Sequence, residues 1–306
     1  KQKTAYEMLR SLVGSEMCIR DRLNATRDFL ASKGLEHPQL CAQLLLAHVL
    51  DCQRLDLYLR FDRQPDARQI DALRDLVRRS ARHEPIAYLI GRKEFFGLDF
   101  RVTPDVLIPR PETETLVQAV LDLARTAGTP FQTILDLCTG CGCVAVALAV
   151  HLPACRLVAT DVCKRTLKVA DENLRRHALR DRIVLRQGDL FDALSGDQTG
   201  FDAIVANPPY VRSGDLAGLS PSVRNYEPSL ALDGGPDGLK VIRRIVNEGM
   251  RRLRPGGWVA LEVGYDQGPA VRGMLQAAGF VGVRSVRDGA GYERVVAGSR
   301  PQADAR

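Results

Sequence analysis

The 306-residue chain has no run of about 18 apolar residues, which excludes a transmembrane helix and leaves no membrane partner to expect. The nearest approach, Val144 to Leu152, is short and carries His151. The opening residues also lack the long apolar stretch of a secretory signal peptide, so a cytoplasmic location is expected. A large excess of one charge is missing too, since 43 Lys and Arg stand against 37 Asp and Glu for a net +6. Such an excess permits an acidic or ribonucleoprotein partner without requiring one, and most basic residues alternate with acids on helix faces that read as solvated. Histidine is sparse, at five residues, and none falls in the motifs below. No Ser/His/Asp or paired-carboxylate pattern is apparent either, so general-base catalysis by an imidazole is not expected.

What is present describes a globular enzyme. Hydrophobic content of 45% and charged content of 26% are ordinary, and the length suits one large or two modest domains. Eight cysteines are scattered along the chain and, without an export signal, are expected as reduced thiols. The cluster Cys138-x-x-Cys141-x-Cys143 has the spacing of a partial metal or iron–sulfur site. A fourth ligand is not evident, and the cluster lies in a turn whose glycines already have a role. These cysteines are read as small close-packing side chains, and no metal is expected.

The chain divides into four stretches. Residues 1–22 do not read like the rest, resemble translated sequencing-adapter read-through from Ser11 to Arg22, and are expected to be a non-native leader; without them the net charge is +4. Residues 23–84 carry apolar residues at helical spacing, such as Leu40, Leu44, Leu45 and Val49, and predict a small helical domain with a helix near Ala67 to Ser80. Residues 85–110 change character, with Tyr88 to Phe100 offering two short strands around Gly97 as a hairpin linker. From 111 onward, after a helix over Thr113 to Thr126, strands and helices alternate. Strands are expected at 132–137, 156–161, 182–187, 201–206 and 257–263. Helices are expected at 142–151, 164–176, 237–253 and 267–278, and a closing hairpin at Val281 to Val286 and Tyr292 to Ala297. This is an α/β pattern: a mostly parallel, seven-stranded, doubly wound sheet of Rossmann-like methyltransferase layout, with a small N-terminal helical domain.

The chemistry is carried by Asn207-Pro208-Pro209-Tyr210, which follows the apolar strand Phe201 to Ala206. An amide or exocyclic amine has its lone pair delocalised, so it is a feeble nucleophile that offers N–H donors. The Asn207 side-chain oxygen and the Pro208 carbonyl can each accept one N–H, because a proline segment makes no ladder bonds. Held out of the amide plane, the nitrogen moves towards sp³ and aims its lone pair at a methyl donor, with the Tyr210 ring over the flat group. On its own the tetrapeptide also reads as a proline turn.

The cofactor candidate is the turn Asp136-Leu137-Cys138-Thr139-Gly140-Cys141-Gly142, whose glycines let the backbone pass close to a ligand. Asp161, at the end of Leu157 to Asp161, is placed to accept both hydroxyls of an adenosine ribose. These features fit NAD as well as S-adenosylmethionine. The tetrapeptide decides for the methyl donor, since a dehydrogenase has no evident use for it. Asp189 and Leu190 would then flank the adenine, one accepting its amine and the other packing on its face, although Gly188-Asp189 also reads as a helix N-cap.

Several blocks in order resemble one family, the bacterial protein-(glutamine-N5) methyltransferases of peptide chain release factors. The blocks are Glu94 to Gly97, Leu107 to Glu114, Asn207 to Tyr210, Tyr226 to Pro228, Ala231 to Gly238 and Leu261 to Gly264. The resemblance implies S-adenosylmethionine as donor and the glutamine of a Gly-Gly-Gln loop in release factors as acceptor. It also implies a helical domain that helps dock the factor, roles at the cofactor for residues 138 to 142, Asp161, Leu190 and Asn207, and a role at the glutamine for 207 to 210. A monomer acting without direct nucleic acid contact is expected. Cys138 and Cys141 stand where the family usually has glycine and serine, and Val211-Arg212 where it has Ile-Pro. The Cβ of Cys138 hinders close approach if that position needs a positive φ. Rival readings are glutamine methylation of a large-subunit ribosomal protein, N6 methylation of nucleic-acid adenine, and a ribosome-associated binding protein without activity. The adenine enzymes flip their base and usually carry an added recognition module or basic face, and neither is visible here.

Overall fold

The computed structural model describes residues 17–194 and 200–302. It separates into two compact units, one running to Gly91 and including Pro221–Tyr226, the other formed by Arg92–Ser220 and the chain from Glu227 onward. The bulk of the expected leader, residues 1–16, lies outside the described residues. Its remainder enters the first helix, α1 (Ile19–Ser32), where Ile19 and Arg22 are buried with Leu23, Thr26, Phe29 and Leu30. Ile19 lies one turn before Leu23 and so extends the same apolar stripe.

The helical unit continues with α2 (Pro38–Val49), α3 (Arg54–Leu59), α4 (Ala67–Ser80) and α5 (Ile86–Ile90). Helix α4 starts on a reciprocal capping box, in which Gln69 N donates to Asp66 Oδ1 at 2.8 Å and Asp66 N donates to Gln69 Oε1 at 3.0 Å, an arrangement worth about 1 kcal/mol. The apolar faces meet in a core of Leu23, Phe29, Leu30, Leu45, Leu46, Leu57, Leu73 and Val77. Helix α5 departs from expectation, because 86–90 coils instead of beginning a strand. Pro85 opens it, and Gly91 closes it with a left-handed φ of 72°.

The second unit opens with the hairpin β1 (Arg92–Phe95) and β2 (Leu98–Arg101) and the helix α6 (Glu114–Thr126). The strands β3 (Thr133–Leu137), β4 (Arg156–Asp161), β5 (Ile183–Gln187), β6 (Phe201–Ala206), β7 (Leu253–Glu262), β8 (Val281–Arg287) and β9 (Glu293–Ser299) form one seven-stranded sheet in the order β5-β4-β3-β6-β7-β9-β8. The first five run parallel, and the terminal hairpin closes the sheet antiparallel. All six residues of β6 are buried, as a central strand covered on both faces requires. Strand β7 begins earlier than expected, at Leu253, and its pairing with β6 slips between Phe201 and Ala203 across Pro255 to Gly257. Helices α7 (Cys143–His151), α8 (Lys164–Arg176), α10 (Lys240–Arg252) and α11 (Gly268–Ala277) follow the strands, while α9 (Pro221–Tyr226) belongs with the first unit. The order reverses between β3 and β6, so the chain leaves those two neighbouring strands in different directions and opens a crevice at their carboxyl ends. No helix among the described residues is long and apolar enough to cross a membrane.

Candidate active site

A cavity of about 480 Å³ lies at those strand ends. Its walls include Asp136, Cys138, Thr139, Gly140, Cys141, Asp161, Asp189, Leu190, Asn207 and Pro209. Among the sequence-derived candidates, Gly142, Pro208 and Tyr210 are not lining residues. Gly142 sits behind the turn, where an added Cβ would touch Ala170 and Leu174 at 3.5 Å.

The glycine-rich turn alternates left-handed residues, with φ of 58° at Cys138, 58° at Gly140 and 83° at Gly142. A Cβ built on Gly140 would meet no protein atom within 4 Å, so this face of the turn lies open for a ligand's close approach. Cys138 occupies the positive-φ position at which a side chain is strained, at a cost of about 1–2 kcal/mol. Leu190 is held in the same conformation at φ 53° while it covers the cavity wall. Both residues are over-determined by their surroundings, since Leu190 belongs to the buried core and Cys138 packs against it. The neighbouring Cys141 thiol, together with burial, pushes the pKa of the Cys143 thiol well up. Among the described residues no group of three or more His, Cys, Asp or Glu is arranged to hold a metal ion.

Two carboxylates shape the electrostatics. Asp161 accepts from the backbone N–H of Gly140 at 3.1 Å through Oδ2 and of Cys163 at 2.9 Å through Oδ1, which fastens β4 to the turn after β3. Burial lifts its pKa, and those N–H groups oppose the lift. Each oxygen retains a lone pair that a ligand hydroxyl can use. Asp136 accepts from Thr139 Oγ1 at 2.6 Å, and burial, with the Asp161 charge adding to it, pushes its pKa up to about 7. Thr160 also belongs to the cavity wall, and its Oγ1 is buried without a hydrogen-bond partner. Asp189 is engaged on its outer side, where Oδ2 accepts from Arg244 at 2.7 Å. Its side chain caps no helix.

The raised Asp136 pKa gives a stability signature. Between its ordinary 3.8 and about 7 the folded chain keeps a proton that the unfolded chain has lost, so this contribution is complete at low pH and disappears as pH rises through 7. Unfolding free energy of the ligand-free protein is expected to fall by on the order of 1 kcal/mol per pH unit from this group between about pH 5 and 7. Asp136→Asn should remove that slope in urea titrations. Glu262, which burial likewise lifts to about 7, adds a slope of the same sign in this window, so Asp136→Asn removes Asp136's own share, whereas carboxylates whose pKa values are depressed, such as Asp202, bound by Gln132 N, Thr133 N and Arg254, act below 3.8.

Asn207 follows the end of β6. Its Nδ2 donates to Thr113 Oγ1 at 3.0 Å, which leaves Oδ1 as its acceptor, and among the described residues nothing donates to the Pro208 carbonyl. Tyr210 packs on the core, and its hydroxyl donates to Glu262 Oε1 at 3.2 Å. The tetrapeptide is fastened from behind. Gln267 Nε2 donates to Tyr210 O at 2.9 Å while its Oε1 accepts from Gly264 N at 2.9 Å, and Val211 N bonds to Leu232 O at 2.9 Å. On the other rim, Glu227 accepts from Ile108 N at 3.1 Å and pairs with Arg110, tying the segment 107–114 to Glu227. The blocks around Thr113, Glu227 and Glu262 were visible as blocks, but nothing in their spacing assigned these side chains a task.

Residues 21–91 match the family model of the PrmC N-terminal domain, and residues 113–218 match that of the methyltransferase small domain. The release factor glutamine methyltransferase of Geobacter sulfurreducens is 44% identical over 280 residues, which cover 92% of this chain and 96% of that protein. The protein of the same name from Rhodopirellula baltica is 41% identical over 281 residues, covering 90% and 93%. A solved structure of the hMettl16 catalytic domain in complex with a 3′UTR hairpin overlays with a TM-score of 0.56 at 20% identity, over 76% of this chain and 82% of that one, a likeness of fold alone. With relatives this similar over nearly their whole length, and a methyltransferase sheet carrying the cavity, the chain belongs to the release factor glutamine methyltransferase family.

Proposed function

We propose that the enzyme transfers a methyl group from S-adenosylmethionine to the side-chain amide nitrogen, N5, of the glutamine in the Gly-Gly-Gln loop of peptide chain release factors, in the cytoplasm. The observation that carries this reading is the junction of two features on one cavity: a carboxylate-lined glycine turn, and a proline segment whose Asn207 Oδ1 and Pro208 carbonyl are free to accept. The names of the relatives support the substrate class.

When bound, S-adenosylmethionine would supply an electrophilic methyl group, the S–CH3 bond breaking with its electron pair left on the sulfur of the thioether product. Asp161 would accept ribose hydroxyls, Leu190 would pack on the adenine, and Asp189 would take its amine through the oxygen not used by Arg244. Asp161, joined by Asp136 once its buried carboxyl gives up its proton, would place negative charge beside the cationic donor. Asn207 Oδ1 and the Pro208 carbonyl hold the two N–H bonds of the substrate amide, and this turns the nitrogen lone pair out of conjugation and into line. The departing proton passes to water once the new N–C bond has formed, so alignment and exclusion of water replace a dedicated base. The helical unit serves to dock the factor.

The test is incubation with methyl-labelled S-adenosylmethionine and intact release factor, beside a factor whose loop glutamine is alanine. Label on the first alone is the expected result. Label on neither, with cofactor binding intact, would overturn the substrate and move it to a ribosomal protein or to a binding role.

A further inference from the structure

Strands β6 and β7 pair in register as far as Ala206 opposite Leu261, and there their ladder stops. The chain goes on as Asn207-Pro208-Pro209, and the prolines have no N–H with which to bond a neighbour. The tetrapeptide therefore leaves the sheet without the backbone bonds that align the strand before it. A reacting group must be held to within about 0.5 Å, so the segment needs another anchor. That anchor comes from the turn after β7. Gln267 is 4% exposed, its Oε1 accepts from Gly264 N at 2.9 Å, and its Nε2 donates to Tyr210 O at 2.9 Å and to Gly238 O at 3.4 Å. A backbone N–H can only donate and a carbonyl can only accept, so these partners fix which end of the amide is which. Among the described residues no backbone N–H donates to the Tyr210 carbonyl. Gln267 is also held at its root, since its N donates to Gly264 O and its carbonyl accepts from Val271 N in α11, both at 3.0 Å. Two glycines leave room for the amide. A Cβ on Gly264 would lie 3.0 Å from Gln267 Oε1 and 3.1 Å from its Cδ, and one on Gly238 would lie 2.6 Å from Nε2.

We propose that Gln267 is a positioning residue that takes the place of the missing ladder bond and fixes the exit of the tetrapeptide, so that Asn207 Oδ1 and the Pro208 carbonyl stay where the substrate amide needs them. Tyr210 is held at both ends, its hydroxyl by Glu262 at 3.2 Å and its carbonyl by Gln267. The same amide ties in the 231–238 loop, whose bonds from Val211 N to Leu232 O at 2.9 Å and from Gly234 N to Val211 O at 2.8 Å continue the seam. One residue further on, Arg212 pairs with Asp266 of the same turn at 2.5 Å, but both groups are exposed and the pair adds little by itself. The buried amide matters more. A carbonyl that loses its donor bears the desolvation cost of that group, which favours a rotated peptide plane between Tyr210 and Val211. Proline fixes φ at 208 and 209, so such a rotation is passed along the tetrapeptide and not absorbed.

The inference rests on the methyl-transfer reading above, and the experiment separates the two. Gln267→Ala, Gln267→Glu, Gly264→Ala and the double variant of Gly264→Ala with Gln267→Ala are compared with the parent. The readouts are single-turnover methyl transfer to release factor per cofactor-binding site, cofactor affinity, and hydrogen exchange at the Val211 and Gly234 amides. Gln267→Ala is expected to lower the rate ~10–100-fold with cofactor affinity within about twofold, and to speed exchange at both amides ~10-fold while β6 stays as in the parent. Gln267→Glu keeps the shape but turns a lone pair towards Tyr210 O. It should be as slow at neutral pH and recover relative to the parent as pH falls, because its buried carboxyl becomes a donor once protonated. Gly264 is not left-handed, and the nearest neighbours of an added Cβ would all be Gln267 atoms. Gly264→Ala should therefore slow transfer in the parent and add nothing in the Gln267→Ala background. A merely structural glutamine would reduce the number of cofactor-binding sites and leave the rate per site parental; that result, or losses that multiply in the double variant, would overturn the inference. If the parent transfers no methyl to release factor, the function reading falls and exchange decides alone: faster exchange at Val211 and Gly234 in Gln267→Ala upholds the positioning role, and parental exchange refutes it.

Discussion

Asn207→Ala is expected to cost at least ~100-fold in kcat, or about 3 kcal/mol of transition-state stabilisation. The loss comes from geometry. Without Oδ1, one N–H of the substrate amide has no acceptor, the nitrogen returns to conjugation, and the Pro208 carbonyl alone cannot define its direction. Cofactor affinity should change far less, because Asp161, the glycine turn and Leu190 are untouched. The check is single-turnover methyl transfer at saturating cofactor, which reads the chemical step without product release. Asn207→Asp makes the complementary point. It retains acceptor oxygens but surrenders the donor that Thr113 receives and adds a second negative charge near Glu262, so it too should be slow. A near-normal rate in Asn207→Ala would remove the tetrapeptide from the mechanism.

How far these features were legible in the sequence depends on the range over which each is determined. The parallel strands were readable because burial on both faces leaves a continuous apolar run, as in Phe201 to Ala206, and the terminal hairpin because Arg287 to Gly291 separates two short valine-rich segments. Segment 86–90 was not, since five apolar residues of mixed type suit a strand or a short helix equally, and the flanking Pro85 and Gly91 decide. The turn and Asp161 could be found because each sits at a strand end, where a parallel fold must put its ligands. Thr113 and Glu262 were different. They reach the tetrapeptide from 94 and 52 residues away, through contacts that exist only after β6, β7 and the start of α6 have assembled. Cys138 shows the limit from the other side, because its chemistry suggested packing but its φ of 58° appears only in the folded turn.

Gly234→Ala is the second substitution expected to stop the enzyme without touching a reacting group. A Cβ on Gly234 would lie 2.6 Å from Gly238 O and 2.8 Å from both Pro209 O and the Tyr210 Cα. All three are backbone atoms, so no side chain can swing aside. Gly234 N already donates to Val211 O at 2.8 Å and its carbonyl accepts from Lys240 N at 2.9 Å, so the 231–238 loop cannot retreat without breaking the bonds that seat it. The strain must therefore pass into the tetrapeptide, and a shift of about 1 Å there is enough to lose ~100-fold in kcat. Gly238 guards the same segment from the other side, where an added Cβ would crowd the Tyr210 carbonyl and come within 2.6 Å of Gln267 Nε2. Gly273→Ala is the control. It lies in α11 with nothing within 4 Å, so it should gain up to about 1 kcal/mol of stability and keep full activity. Cofactor titration of the Gly234→Ala protein separates misplacement from unfolding: retained affinity with lost turnover is the expected pair, whereas parental kcat would mean that the loop glycines do not hold the tetrapeptide in place.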